Sequence, residues 1–255
     1  MQIRVLGCSG GIGDGLRTTS FLVDDDILID AGTGVGDLTL EEMRLLRHIF
    51  ITHSHLDHIT GVPLLVDTLF GTVDEAVKLY ALPATLAVLR EHIFNWQVWP
   101  DFEEISTTVR PVISFHEMNP GESHVLDNRK IEMIKVNHTV PGAAYRIQSE
   151  TGGVFCFSGD TTTNDSLWDA LNAGERLDLF ILECAFANKD IVISKLAKHY
   201  CPSLLAEDLK KLKHKPNIML THFKPGEEYT ILRECRQAIE GFEVNSLVGG
   251  EIFTL

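Results

Sequence analysis

Positions 53 to 58 read His-Ser-His-Leu-Asp-His, directly behind the apolar run Ile49-Phe50-Ile51. Three imidazoles and one carboxylate within six positions make a donor set that suits a borderline divalent cation such as zinc. Residues two apart on a strand share a face, so an extended chain here would turn His53 and His55 the same way. A turn after them would let Asp57 and His58 face the same cavity from its other side. One cation takes three or four protein ligands. Four donors here, with more downstream, therefore point to two cations held close together.

Further donors recur in one kind of place. His138 follows Ile131-Glu132-Met133-Ile134-Lys135-Val136, Asp160 follows Val154 to Gly159, and His222 follows Ile218-Met219-Leu220-Thr221. Each lies just past a stretch that reads as a strand, where a loop can project a ligand from a rigid scaffold. A single histidine in such a place is more often a hydrogen-bonded structural residue. Repetition of the placement, beside the cluster at 53–58, carries the metal reading.

The elements that must position these residues follow from pattern. Ile3–Leu6, Phe21–Asp30 around the acidic turn Asp24-Asp25-Asp26, His48–Thr52, Lys78–Leu82, Val109–Phe115 and Ile131–Val136 read as strands. Tyr145–Gln148 and Val154–Ser158 pair as a hairpin across Glu150-Thr151-Gly152-Gly153. Helices are expected over Ile59–Phe70, from Pro83 to about Asn95, and over Leu167–Ala173, Ser203–Leu212 and Tyr229–Ile239. Leu177–Leu182 and Ile218–Thr221 are buried strands between the later helices, and the chain ends in short strands. Strands first, then alternating helices and strands, predict sheets covered by helices on their outer faces. With no repeat, low-complexity tract or linker, residues 1–255 are expected to form one domain.

At this point the chain resembles the metallo-β-lactamase superfamily. The matching motifs are Leu28-Ile29-Asp30-Ala31-Gly32, His53-Ser54-His55-Leu56-Asp57-His58, His138, Ser158-Gly159-Asp160-Thr161 and Leu220-Thr221-His222-Phe223. The resemblance implies an α/β fold of the four-layer αββα sandwich type, with a dinuclear metal site along one edge of the sheets. It implies that His53, His55 and His138 hold one ion, that Asp57, His58 and His222 hold the other, and that Asp160 bridges them. Asp30 would orient a ligand or its loop.

Two segments narrow the branch. Glu183 lies at the end of Phe180-Ile181-Leu182, and His199 precedes the helix that starts near Ser203. In the phosphodiesterase branch a glutamate and a histidine so placed work together near the metals. His53–Gly61, Lys198–Leu205 and Thr221–Pro225 resemble the class II 3′,5′-cyclic-nucleotide phosphodiesterases. His138-Thr139-Val140-Pro141 leading to Tyr145-Arg146-Ile147, with Leu220–Phe223, resembles the tRNA 3′-processing endonucleases. Those enzymes generally carry a long tRNA-gripping arm between the third and fourth metal motifs, whereas His138 and Asp160 here are 22 positions apart. One departure is that Tyr200-Cys201-Pro202 follows His199, where the cyclic-nucleotide enzymes more often have Leu-Thr-Pro.

The implied reaction is hydrolysis of a cyclic nucleotide by a hydroxide held between two cations. Asp57 would hold one ion and fix the nucleophile, His199 oriented by Glu183 would act as general acid, and Lys224 would neutralise phosphate charge. Zinc is the default cation for so histidine-rich a set, with manganese or iron as alternatives. A homodimer is implied by the resemblance alone.

Composition excludes several other classes. The net charge of −14 opposes a large polyanion unless a basic patch offsets it. Lys210–Lys215, the densest basic segment, reads as the solvated end of a helix. No apolar run is long enough to span a bilayer, and the opening residues lack a signal-peptide pattern. Cys8, Cys156, Cys184, Cys201 and Cys235 are odd in number and form no CxxC pair, which suits reduced thiols packed in a cytoplasmic protein. The glycine-rich stretch Gly7–Gly15 is not a dinucleotide fingerprint, because a strand follows it, and is expected to lie beside the metal site. Trp96 and Trp99 are expected to pack against the core or a partner subunit rather than stack on a base. Two readings of another class are a di-iron redox protein, although no flavin domain fits in 255 residues, and an inactive metal-binding protein, against which the intact ligand set argues.

Overall fold

Runs that are apolar throughout, rather than alternating, make strands buried on both faces. In this chain they build two sheets. The computed structural model describes residues 1–105 and 111–255. Its first sheet contains β1 (Gln2–Gly7), β2 (Ser20–Val23), β3 (Ile27–Ile29), β4 (His48–Phe50), β5 (Val77–Ala81) and β6 (Ile113–Glu117). The second contains β7 (Ser123–Leu126), β8 (Arg129–Lys135), β9 (Ala143–Ser149), β10 (Val154–Phe157), β11 (Leu179–Glu183), β12 (Asn217–Thr221) and β13 (Val244–Ser246). A last strand, β14 (Ile252–Thr254), returns to pair antiparallel with β1.

Both sheets follow one plan. β1 to β3 are antiparallel and β3 to β6 parallel; β7 to β10 are antiparallel and β10 to β13 parallel. The hairpin expected across residues 150–153 is β9–β10, with Tyr145 opposite Phe157. Between the sheets lies a cluster fed by both, including Phe21, Phe50, Tyr145, Phe155 and Phe157. On the outer side of the first sheet pack α1 (Leu40–Leu45), α2 (Leu56–Ile59), α3 (Gly61–Leu69) and α4 (Pro83–Val88). Interleaved with the last four strands of the second sheet are α5 (Ser166–Ala173), α6 (Ile191–Ala197), α7 (Pro202–Leu209) and α8 (Glu228–Ala238), of which α5, α7 and α8 enclose its outer core. The result is the predicted order of layers, helix, sheet, sheet, helix.

Local departures from expectation have identifiable causes. The helix expected over 59–70 is interrupted at Thr60, because Gly61 packs directly on the turn after β3. A Cβ on Gly61 would lie 2.8 Å from the carbonyl oxygens of Ala31 and Gly32, and its N–H donates to Ala31 O. The helix expected to run to Asn95 instead widens after α4 into a π turn over Leu89–Ile93. The strand expected over Val109–Phe115 is seen as β6, and its first two residues lie outside the described ones. α1 opens on a capping box in which Thr39 and Glu42 satisfy each other's amides. α6 is inside-out: Val192, Ile193 and Leu196 are exposed and Ser194 is buried.

Two further features set the site. Strands β3, β4, β8, β10, β11 and β12 all end near one rim, and the donor residues follow those ends. Towards the opposite ends of β3 and β8, buried Arg129 grips the β2–β3 turn with bonds to Asp26 at 2.6 and 2.8 Å and to Asp24 at 3.0 Å.

Candidate metal centre

His53 and His55 lie past the end of β4 in irregular chain, not on the strand itself, and His55 is the residue before α2. They nevertheless face one place, with ring centroids 4.7 Å apart. α2 then brings Asp57 and His58 round from the other side. Ligand atoms of His53, His55, His138 and Asp160 lie within 4.8 Å of one another, as do those of Asp57, His58, Asp160 and His222. Asp160 is common to both groups. Its Oδ2 is 3.3 Å from the Nε2 atoms of His58 and His222 and 3.6 Å from that of His53. The seven residues that the resemblance points to thus lie together in two groups that share Asp160.

For three of the rings, those of His53, His58 and His138, the surrounding bonds fix which nitrogen faces inward. Asp30, fully buried and at φ +56°, lies 2.6 Å from His58 Nδ1 and accepts the backbone N–H and hydroxyl of Thr52 at 2.7 and 2.8 Å. Thr52 Oγ1 in turn lies 3.0 Å from His53 Nδ1. The Lys198 carbonyl, 3.0 Å away, accepts from His138 Nδ1. Each partner leaves an Nε2 lone pair aimed at the centre, the tautomer a cation requires.

The donor set fits two divalent cations. His53 Nε2, His58 Nε2 and Asp160 Oδ1 are buried without any hydrogen-bond partner among the described residues. A buried unsatisfied group costs about 1–3 kcal/mol, so three in one cavity call for an occupant, and lone pairs call for a positive one. Burial pushes the basicity of His53 well below that of ordinary imidazole, that of His138 down to about 4 and that of His222 down to about 3. These rings are held neutral, as ligands must be. His58 goes the other way: burial opposes its charge, but Asp160 and Asp30 outweigh burial and favour positive charge there. Burial alone would raise Asp160, yet His222, His58 and His53 hold it well below the usual carboxylate range.

Glu183 and His199 meet at the edge of this cavity. His199 Nδ1 is 3.1 Å from Glu183 Oε1, and its ring stacks on His222 at 5.3 Å and 17°. Glu183 is completely buried and accepts from the backbone N–H groups of Thr161, Tyr200 and Ala185 at 3.0–3.2 Å. Burial raises its pKa, against the pull of His199. Burial also works against charge on His199, but Glu183 outweighs it and raises His199 above the ordinary value. Lys224 joins from the same side. Its backbone N–H donates to Ala185 O and its Nζ to Gly10 O at 2.9 Å.

The glycine-rich stretch does lie against the centre. Cys8 O accepts the His222 N–H, and a Cβ on Gly10 would fall 2.4 Å from His222 O. The two tryptophans take no part: Trp99 packs on the outer core of the first sheet and Trp96 faces solvent. Four of the five cysteines are buried and all are free. Lys211, in the basic segment, pairs with Asp165 and Asp208 past the end of α7. Sequence reasoning missed Thr52, Thr161 and the carbonyl of Lys198. Thr52 and Thr161 adjoin the motifs, but a backbone partner such as Lys198 O leaves no trace in residue type.

The chain is similar to known proteins in sequence and in fold. A family model described as the beta-lactamase superfamily domain matches residues 25–236. The chain is 26% identical to a probable 3′,5′-cyclic-nucleotide phosphodiesterase of Yersinia pestis, over 88% of this chain and 78% of that one. It is 27% identical to a ribonuclease Z of Haloferax volcanii, over 58% of this chain and 46% of that one. Unliganded yeast PDE1 superposes with a TM-score of 0.82 at 19% identity, covering 100% of this chain and 99% of that one. No helix among the described residues is long and apolar enough to cross a membrane.

Proposed function

The chain belongs to the metallo-β-lactamase superfamily, and on that footing we propose that it is a metal-dependent phosphodiesterase whose substrate is a 3′,5′-cyclic nucleotide. The observation that carries the reading is the Glu183–His199 pair at the edge of the two His/Asp clusters. Metal ligands alone would serve many hydrolases. A buried carboxylate holding an imidazole beside them supplies what a phosphodiester needs in addition, a proton for the departing alkoxide.

His53, His55, His138 and Asp160 would hold one divalent cation, and Asp57, His58, Asp160 and His222 the other. Two such ions, when bound, supply Lewis acidity toward phosphoryl oxygens and lower the pKa of water toward neutrality. The chain's own residues do the rest. Asp57, with its side chain 29% exposed, lies on the open side of the centre and accepts a hydrogen bond from the attacking water. Glu183 orients His199 through Nδ1 and favours its protonated form, so that Nε2 can give a proton to O3′ as the P–O bond breaks. Lys224, anchored to Gly10 O, places a positive charge on the substrate side of His199.

The small substrate is favoured over RNA by charge and by connection. A net charge of −14 repels a polyanion, while one phosphodiester can be neutralised locally. Between His138 and Asp160 the chain forms only the β9–β10 hairpin, leaving no room for a gripping arm.

The test is hydrolysis of cyclic AMP and cyclic GMP by purified, metal-replete protein, with a generic chromogenic phosphodiester alongside. Turnover of a cyclic nucleotide well above the generic ester supports the reading. Activity on the generic ester alone moves the substrate to other diesters, and silence on all three with both metals bound overturns phosphodiester chemistry.

A further inference from the structure

Between Glu183 and His199 the chain makes an excursion that starts and ends at the proposed acid. Its first bulky residue is Phe186. Ala185 and Ala187 on either side are fully buried, yet Phe186 remains half-buried. Among the described residues, Phe186 and Phe70 are the only phenylalanines outside the three apolar clusters. Phe70 has an aromatic neighbour in Phe102. The aromatic neighbour of Phe186 is His199, edge to face at 5.7 Å. Lys224 Nζ lies 5.8 Å from the centre of the same ring.

The residue is also held in place. Its N–H donates to Tyr200 O, and the carbonyl before it, Ala185 O, accepts the N–H of Lys224. A large apolar ring that leaves every core, follows a peptide bonded at both its N–H and its C=O, and borders an acid and a lysine is poorly explained by packing. Burying a phenylalanine stabilises by about 1.5–3 kcal/mol, and this position forgoes part of that.

The geometry points to Phe186 as a specificity-determining residue: its partly open ring is the platform on which the planar base of a nucleotide stacks, while Lys224 and His199 face the phosphate end. This deepens the phosphodiesterase reading and rests on it for the identity of the ligand. It assigns the substrate class as a phosphoester with an aromatic base, not any diester. Stacking tolerates purines and pyrimidines alike, because every base has a π face.

The test compares two ligands that share ribose and phosphate and differ in the base. Binding of 5′-AMP and of ribose 5-phosphate to metal-replete full-length protein is measured by calorimetry, for wild type and for Phe186→Ala and Phe186→Trp. Wild type is expected to favour 5′-AMP, Phe186→Ala to reduce that preference roughly tenfold, and Phe186→Trp to restore it. A wild type that binds both ligands equally overturns the inference. So does Phe186→Ala weakening both in proportion, which would make Phe186 a support for His199 instead. Binding needs no turnover, so the two readings fail separately. Hydrolysis of the generic diester without base preference removes only this inference. Base preference without hydrolysis of any diester removes only the phosphodiesterase reading.

Discussion

Asp30 touches no proposed cation, yet its replacement should be felt in both stability and metal binding. Its carboxylate accepts from Thr52 N, Thr52 Oγ1 and His58 Nδ1 in a fully buried pocket. Asp30→Ala leaves three donors without a partner, at about 1–3 kcal/mol each before relaxation. Water entering the gap would lower the sum, so a loss of about 3–5 kcal/mol is expected, the range for breaking a buried charged pair. Asp30→Asn is the finer probe. It keeps an oxygen for Thr52 but can set an N–H against His58 Nδ1, so the ring must flip tautomer and lose the inward lone pair. That variant should keep most of its stability while affinity for one of two ions falls about 10–100-fold, the usual effect of removing the partner that orients a ligand. The assay is chelator-competition titration of each variant, with urea unfolding alongside. If Asp30→Asn takes up two equivalents with wild-type affinity, the argument that Asp30 sets the tautomer of His58 is wrong.

Three further outcomes follow from the same geometry. His199→Ala should lower kcat by about 10²–10⁴-fold, the span of general acid–base catalysis, with two equivalents of metal still bound by elemental analysis. Asp160→Ala should lose both ions to the same chelator challenge, since its carboxylate is shared between the clusters; equal metal loss in both variants would collapse the division between acid and ligand. His48, outside the centre, has its pKa pushed down to about 4 by burial. The unfolded chain therefore takes up a proton first, and His48 should erode stability as pH falls from about 6.5 toward 4 and not above that window. His48→Gln should flatten the fall in urea midpoint across that window, and unchanged slopes would remove His48 as a cause.

Much of the centre was legible because its ligands either crowd together or stand behind apolar runs. His53 to His58 fall within six positions, and Asp160 and His222 each follow a wholly buried strand end. What stayed hidden lacked a periodic signal. β7 is an edge strand with no buried residue, on which exposed and half-buried positions alternate. α6 could not be read at all, since the rule that apolar residues face inward predicts the opposite of its observed orientation. α1 carries a readable sign in Thr39, three before Glu42. Phe186 is misleading for the same reason as α6: a lone phenylalanine in a buried stretch reads as core until its surroundings are seen.

The grip of Arg129 on the β2–β3 turn has a kinetic consequence. β8 begins with that arginine and leads on to His138, and β3 follows Asp26 and precedes Asp30. Opposite ends of the same two strands therefore carry the clamp and the centre. Spacing between the sheets is set at the far rim, without help from any cation. Ions should consequently enter a cleft already cut to size. Mixing stripped protein with metal in a stopped-flow cell should give uptake whose rate climbs linearly with metal concentration, with no plateau set by a folding step. Arg129→Met, which frees the far rim, should introduce that plateau.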